Sequence, residues 1–197
     1  GLISLLALLL VVLPGPLYKF NLLDLSPAFT TLRYGVYIGI VALVLLFIQV
    51  IFFRKNINWT ITGVSAILAI VAVSFPLSIM NNAKSVPPIH DISTDLTNPP
   101  KFIAIAALRV DAPNPIQYAG EETAQQQRDA YPELTTQKYL NSFDLLFNTA
   151  QKSVNELGWE LVNADKSLGI IEATDTTGWF GFKDDVVIRI QAIGKET

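Results

Sequence analysis

The chain has 197 residues, half of them hydrophobic, with 14 basic and 17 acidic side chains, a formal net charge of −3 and no cysteine. The missing cysteines exclude disulfides, thiolate metal sites and a cysteine nucleophile. The apolar excess is confined to residues 1–80, where Lys19, Arg33, Arg54 and Lys55 against Asp24 leave a net of +3; the remainder therefore carries −6, which argues against nucleic acid, whose phosphates demand a basic surface.

Leu2 to Leu13 reads as the visible end of a first transmembrane helix, with a signal-sequence core of about 7 to 15 residues as the competing reading. Pro14-Gly15-Pro16 is expected to end it, since proline cannot continue the helical ladder. Leu17 to Thr31 is expected along the membrane interface, with Tyr18 and Lys19 as headgroup anchors.

Tyr34 to Phe53 and Ile57 to Met80 follow as two apolar runs, each matching a roughly 30 Å hydrocarbon core at about 1.5 Å rise per residue. The short connection carries Arg54 and Lys55, which the positive-inside rule assigns to the cytoplasmic face, so the chain after Met80 is expected outside. Neither span holds an ionisable residue, unlike proton relays, pumps and channels. Gly35 and Gly39 form a small-x-x-x-small step that permits close helix approach, read as packing among the three spans rather than self-association. Pro76 is expected to kink or loosen the end of the third span.

Residues 81–100 hold four prolines and no helical or strand period, so they read as a semi-rigid extended arm. Its centre, Ile89-His90-Asp91-Ile92-Ser93-Thr94-Asp95, places the single histidine near two acids. A metal-dependent hydrolase using His90, Asp91 and Asp95 is one reading, although zinc or a triad needs further ligands or a placed nucleophile. The simpler reading has Asp91, Ser93, Thr94 and Asp95 bonding local backbone amides.

In residues 101–197, Phe102 to Val110 is an apolar run suited to a buried strand or arm segment, and Asp111 to Asp129 a proline- and glutamine-rich loop. Tyr139, Phe143, Leu146, Phe147, Ala150, Val154 and Leu157 recur at three- and four-residue steps, predicting a helix from about Thr136 to a stop at Gly158. Strands are expected at Trp159 to Val162, Ile170 to Thr174 and Val186 to Ile190, with turns at Asp165 to Ser167 and around Gly178. Thr176 to Phe182 is an aromatic loop whose rings either dock on a partner, dip into the outer leaflet or close the domain core. Lys183-Asp184-Asp185 reads as a solvated turn rather than a carboxylate dyad.

Pro-Pro-Ile-His-Asp-Ile-Ser-Thr-Asp, then Asn-Pro-Pro-Lys-Phe, Gly169 to Thr174, and Trp179 to Arg189 together resemble the bacterial and plastid family catalogued as domain of unknown function 1499, over about Val86 to the end. The resemblance implies hydrophobic spans ahead of the domain and no assignable catalytic residue. Members continue past the final strand into an arginine- and serine-rich strand and a helix, whereas this sequence stops at Gly194 to Thr197.

The expected architecture is an α-helical membrane anchor of three transmembrane helices (about 2–13, 34–53 and 57–80) joined by the arm to a small α+β domain, one helix packed on an antiparallel sheet. The expected role is a non-catalytic accessory or assembly subunit of a larger integral membrane complex, photosynthetic or respiratory by setting rather than by residues. It would lie in the bacterial inner membrane with its domain periplasmic, needing neither cofactor nor metal. Pro87, Pro88, Ile89, His90, Asp91, Trp179, Phe180 and Phe182 are the expected docking residues; Tyr18, Lys19, Arg54 and Lys55 are the interface residues. A periplasmic small-molecule or lipid-binding module, opening between Phe143, Phe147 and the strands, is the alternative.

Overall fold

The computed structural model describes residues 1–109, 114–192 and 194. Val110, the first residues of the expected 111–129 loop and most of the final Gly194 to Thr197 segment lie outside them. The chain divides into two compact units, one of residues 1–85 with 178–182, the other of residues 86–177 with 183–197.

The first unit is a bundle of three helices long and apolar enough to cross a membrane. Helix α1 (Leu2–Val12) is followed at once by α2 (Pro14–Lys19), and Leu13 between them keeps right-handed helical angles. The expected break at Pro14 does not occur, because proline at the first position of α2 lacks only an N–H that a helix start leaves unused. Asn21 then adopts φ 56° and the Leu22 amide returns to the Leu17 carbonyl, a helix ending suited to asparagine. Helix α3 (Leu25–Phe52) therefore starts well before Tyr34 and absorbs much of the expected interfacial stretch. A single 3₁₀ turn (Arg54–Asn56) leads to α4 (Trp59–Lys84), which Asn58 caps through the Ile61 amide and which runs on about two turns past Pro76.

Small residues decide how these helices meet. The buried positions are Ser4, Ala7 and Val11 on α1, Ala28, Gly35, Gly39 and Ala42 on α3, and Thr62, Ser65, Ala69 and Ala72 on α4. The large side chains, such as Phe47, Ile51 and Ile67, point outward, as lipid contact requires. A Cβ on Gly35 would lie 3.0 Å from the Ala7 carbonyl oxygen of α1, and one on Gly39 would lie 2.9 Å from a Val73 methyl of α4. The two glycines thus face different helices of the same bundle.

The second unit is a three-stranded antiparallel sheet packed against helices, with order β1 (Glu160–Asp165), β2 (Ile170–Thr176), β3 (Lys183–Arg189). Helix α7 (Phe143–Glu156) starts at Ser142, whose hydroxyl accepts the Leu145 amide. Its Phe147 and Val154 meet Ile171 and Ala173 of β2, with Phe143, Ala150, Trp159, Leu161, Ile188 and Ile190 around them. Tyr139 and Leu157, expected on that stripe, lie outside the helix and are exposed. The β1–β2 turn needs Gly169, at φ 66°, since a Cβ there would overlap the Ile190 carbonyl.

Two expectations for the segment before α7 fail. The apolar run after Phe102 is not a strand but a short helix, α5 (Ala104–Leu108), of alanine-rich sequence whose first amides are held by Glu172. The glutamine-rich stretch is not wholly loop, because Glu121–Ala130 forms α6. Its buried residues are only Ala124 and Gln127, too few apolar positions to announce a helix by periodicity, while Glu121 in its first turn pairs with Arg128 in its last.

Candidate functional site

Beginning with the backbone, the buried Glu172 and Gln127 and the half-buried Asp95 of the second unit hold main-chain groups in place. Glu172, fully buried in the central strand, accepts the amides of Ile103 (2.6 Å), Ala104 (2.9 Å) and Ile105 (3.3 Å) and the side-chain amide of Asn163 (3.0 Å). A bulge between Leu161 and Asn163 brings Asn163 opposite Glu172. Burial alone would raise the Glu172 pKa, but the hydrogen bonds from Ala104, Ile103, Asn163 and Ile105 outweigh it and hold the carboxyl below its ordinary value. Gln127 bonds the Ser93 amide (3.0 Å) and carbonyl (2.7 Å), and so satisfies an arm residue as a neighbouring strand would. Asp95 accepts the Thr97 and Asn98 amides and binds Arg189 at 2.7 Å.

Around this frame lies a cavity of about 250 Å³, walled by the arm, the residue after α5, the segment before α6 and the start of β3. Its apolar wall is Pro88, Ile89, Phe102 and Ile116; its charged groups are Asp91, Arg109, Lys183, Asp184 and Asp185, with His90 at the edge. Arg109 pairs with Asp185 at 3.2 Å, and Asp185 also accepts the Thr174 hydroxyl at 2.6 Å. Asp184-Asp185 is thus no turn: it lies in β3, with the Asp185 carboxylate largely enclosed. Burial pushes the Asp91 pKa up, against the opposing charge of Arg109. The Tyr118 hydroxyl oxygen is buried without a hydrogen-bond partner among the described residues, and burial followed by the Asp91 charge raises its pKa.

His90 and Asp91 line this cavity, whereas Asp95 lines a second, more open depression beside Gln127 and Tyr131. Among the described residues no group of three or more potential ligands is arranged to hold a metal ion. The helix–sheet interface at Phe143 and Phe147 is filled by their own stacked rings and the strand residues beneath. Pro88, Ile89, His90 and Asp91 share the cavity wall, and the Pro87 carbonyl accepts the Ile89 amide at 2.8 Å.

Trp179, Phe180 and Phe182 lie instead in the first unit. Pro16 has no amide hydrogen to give the Val12 carbonyl four residues earlier, and Trp179 Nε1 donates to that carbonyl at 3.0 Å. Gly15 leaves the space the indole occupies, since a Cβ there would overlap the ring. Phe75 meets Trp179 at a ring separation of 5.1 Å, Phe29 stacks on Phe180 at 5.4 Å, and Tyr18 lies 5.7 Å from Phe182. Lys19 Nζ donates to the Gly178 carbonyl at 3.2 Å, so Tyr18 and Lys19 engage this loop; Arg54 and Lys55 stay exposed.

Arg109, Tyr118, Gln127 and Glu172 escape the sequence reading. Glu172 alone carries a visible signal, an acid inside the β-branched run Ile170 to Thr174, which implies a buried carboxylate with donors waiting. Comparison with known proteins finds a family model, described as Protein of unknown function (DUF1499), that matches residues 91–196. No curated protein and no solved structure matches the chain.

Proposed function

From the premise that the chain belongs to the DUF1499 family, we propose that it is a membrane-anchored, non-catalytic accessory subunit whose second unit docks on a larger integral membrane complex. The observation that carries this reading is the character of the bundle. Its buried contacts are made mostly by small residues, and the apolar runs Tyr34 to Phe53 and Ile57 to Met80 hold no acidic or basic side chain to relay an ion or proton, Arg33 and Lys84 lying outside those runs. Such a bundle anchors and does not conduct. The polar groups of the second unit support the same reading, because Glu172, Gln127 and Asp95 stabilise backbone instead of meeting around a substrate. With Trp179, Phe180 and Phe182 packed on the helices, the arm from Pro87 to Asp91 is the docking element, its Pro88 and His90 exposed. The domain faces the periplasm of a bacterial cytoplasmic membrane, the side opposite Arg54 and Lys55.

Photo-crosslinkers at Pro88 and His90 test the role in native membranes. An adduct with an integral membrane protein supports it; a chain that gives no adduct and leaves mild detergent as a species of its own mass refutes it. Because the chain has no cysteine, Leu140→Cys, at an exposed position, reports topology. Labelling by an impermeant maleimide on intact cells is expected, and labelling only in inverted vesicles reverses the assigned side.

A further inference from the structure

We propose that the lipid-facing side of α3 at Arg33, Tyr34 and Tyr37 holds the phosphate of an anionic phospholipid, in the leaflet at that end of the bundle. The proposal rests on the reading of the bundle as a membrane anchor. Depth is the first observation. Arg33 and Arg54 lie about 31 Å apart along the helix axis at roughly 1.5 Å per residue, close to the roughly 30 Å of a hydrocarbon core. With Arg54 at one headgroup layer, Arg33 therefore reaches the other. Trp179, bonded to Val12 and packed on Phe75, marks the same level, because Gly35 of α3 faces Val11 of α1. Tryptophan and tyrosine collect at that depth.

Chemistry is the second. Arg33 is exposed, and neither its guanidinium nor the Tyr34 and Tyr37 hydroxyls have a hydrogen-bond or ion-pair partner among the described residues. Tyr34 and Tyr37 are 59% and 54% exposed, and their rings meet edge to face at 6.3 Å. Tyr37 shares the helix face of Arg33 one turn deeper, and helical side chains lean toward the N-terminus, which carries its hydroxyl up toward the guanidinium. A guanidinium flanked by two phenol donors fits a phosphodiester. Val41 and Val44, both exposed, continue that face toward the bilayer centre, so an acyl chain has a track beneath the phosphate that a soluble anion would leave uncovered. Asp24 is the one acid in the sequence of residues 1–85 and lies before α3 begins, so the ammonium of a zwitterionic headgroup meets no carboxylate on this face. A headgroup of net negative charge is therefore favoured.

Native mass spectrometry of the detergent-solubilised full chain tests the site, in an Arg54→Gln/Lys55→Gln background that removes the cations of the opposite end. One equivalent of dioleoylphosphatidylglycerol is expected to bind, with dioleoylphosphatidylcholine weaker and dioleoylglycerol not held. Arg33→Gln should weaken binding by about fivefold or more, and Tyr34→Phe/Tyr37→Phe should weaken it as well. Lys84→Gln, which removes an exposed cation near the end of α4, should leave it unchanged, and so should excess glycerol 3-phosphate. The proposal is overturned if Arg33→Gln with its parent's circular dichroism binds like that parent, if Lys84→Gln loses as much, if phosphatidylcholine is held as tightly, or if glycerol 3-phosphate displaces the lipid. Carbonate extraction of native membranes separates the two readings: release of the chain removes the anchor itself, whereas a chain that stays in the membrane without selecting the lipid overturns this site alone.

Discussion

Trp179 Nε1 donates a hydrogen bond to the main-chain carbonyl of Val12, 167 positions earlier, and that carbonyl is open because Pro16 has no amide to offer it. Gly15 between the two prolines supplies the clearance, so three adjacent residues make the seat for one indole. Gly15→Ala is expected to displace the ring and lower stability by about 1 to 3 kcal/mol, as overpacking does. Pro16→Ala gives Val12 a helical partner that competes with Trp179. Both variants, built in a Trp59→Phe/Trp159→Phe background, should show greater acrylamide quenching of the remaining tryptophan; unchanged quenching would contradict this seat.

Glu172 gathers three backbone amides and one side-chain amide in a buried setting. Glu172→Ala leaves them without an acceptor and should cost about 3 kcal/mol or more, given roughly 1 to 3 kcal/mol for each buried group left unpaired. Glu172→Gln retains one acceptor oxygen and should cost less. Denaturant unfolding of the solubilised chain ranks the two, and equal losses would argue against the hydrogen-bonding role.

The same carboxyl sets a pH dependence. Its folded pKa is held below the ordinary value of 4.5, so its contribution is fully present above that value and is lost as pH falls through the lower folded pKa. Unfolding midpoints should therefore drop on acidification below about pH 4.5 in the wild type, with a shallower slope in Glu172→Gln. Identical slopes would remove Glu172 from the account.

Gly35 and Gly39 admit different neighbours, α1 and α4. Gly35→Ile should loosen α1 and Gly39→Ile should loosen α4, each by about 1 to 3 kcal/mol from overpacking. Disulfide crosslinking of engineered cysteine pairs reads this out: a pair across α1 and α3 should fail in the first variant and persist in the second.

Gln127 bonds the backbone of Ser93 at both polar atoms. Gln127→Met, similar in shape, strands a buried amide and carbonyl and should destabilise the second unit by about 2 to 4 kcal/mol. Amide exchange at Ser93 should accelerate with it; unaltered exchange would show the arm to be held by other means.

Fold class was legible in the sequence because it rests on local signals. Long apolar runs must lie in lipid, Phe143 to Val154 repeats at helical spacing, and Ile170 to Thr174 is rich in strand formers. Of the cavity wall, His90 and Asp91 stood out in the sequence because their motif is conspicuous for its composition, but the cavity itself did not. Helices α5 and α6 were not, because one is stabilised by a carboxylate some 70 positions away and the other turns a glutamine inward. What the residues determined alone was where the chain can exist and which segments alternate or repeat, for these follow from transfer energies and backbone geometry within a few residues. The fate of each polar group was decided only by the tertiary structure: which carbonyl Trp179 finds, which amides Glu172 gathers, and which carboxylate Arg109 meets. A hydrogen bond or ion pair depends on distances between side chains far apart in the chain, and those distances exist only once it has folded.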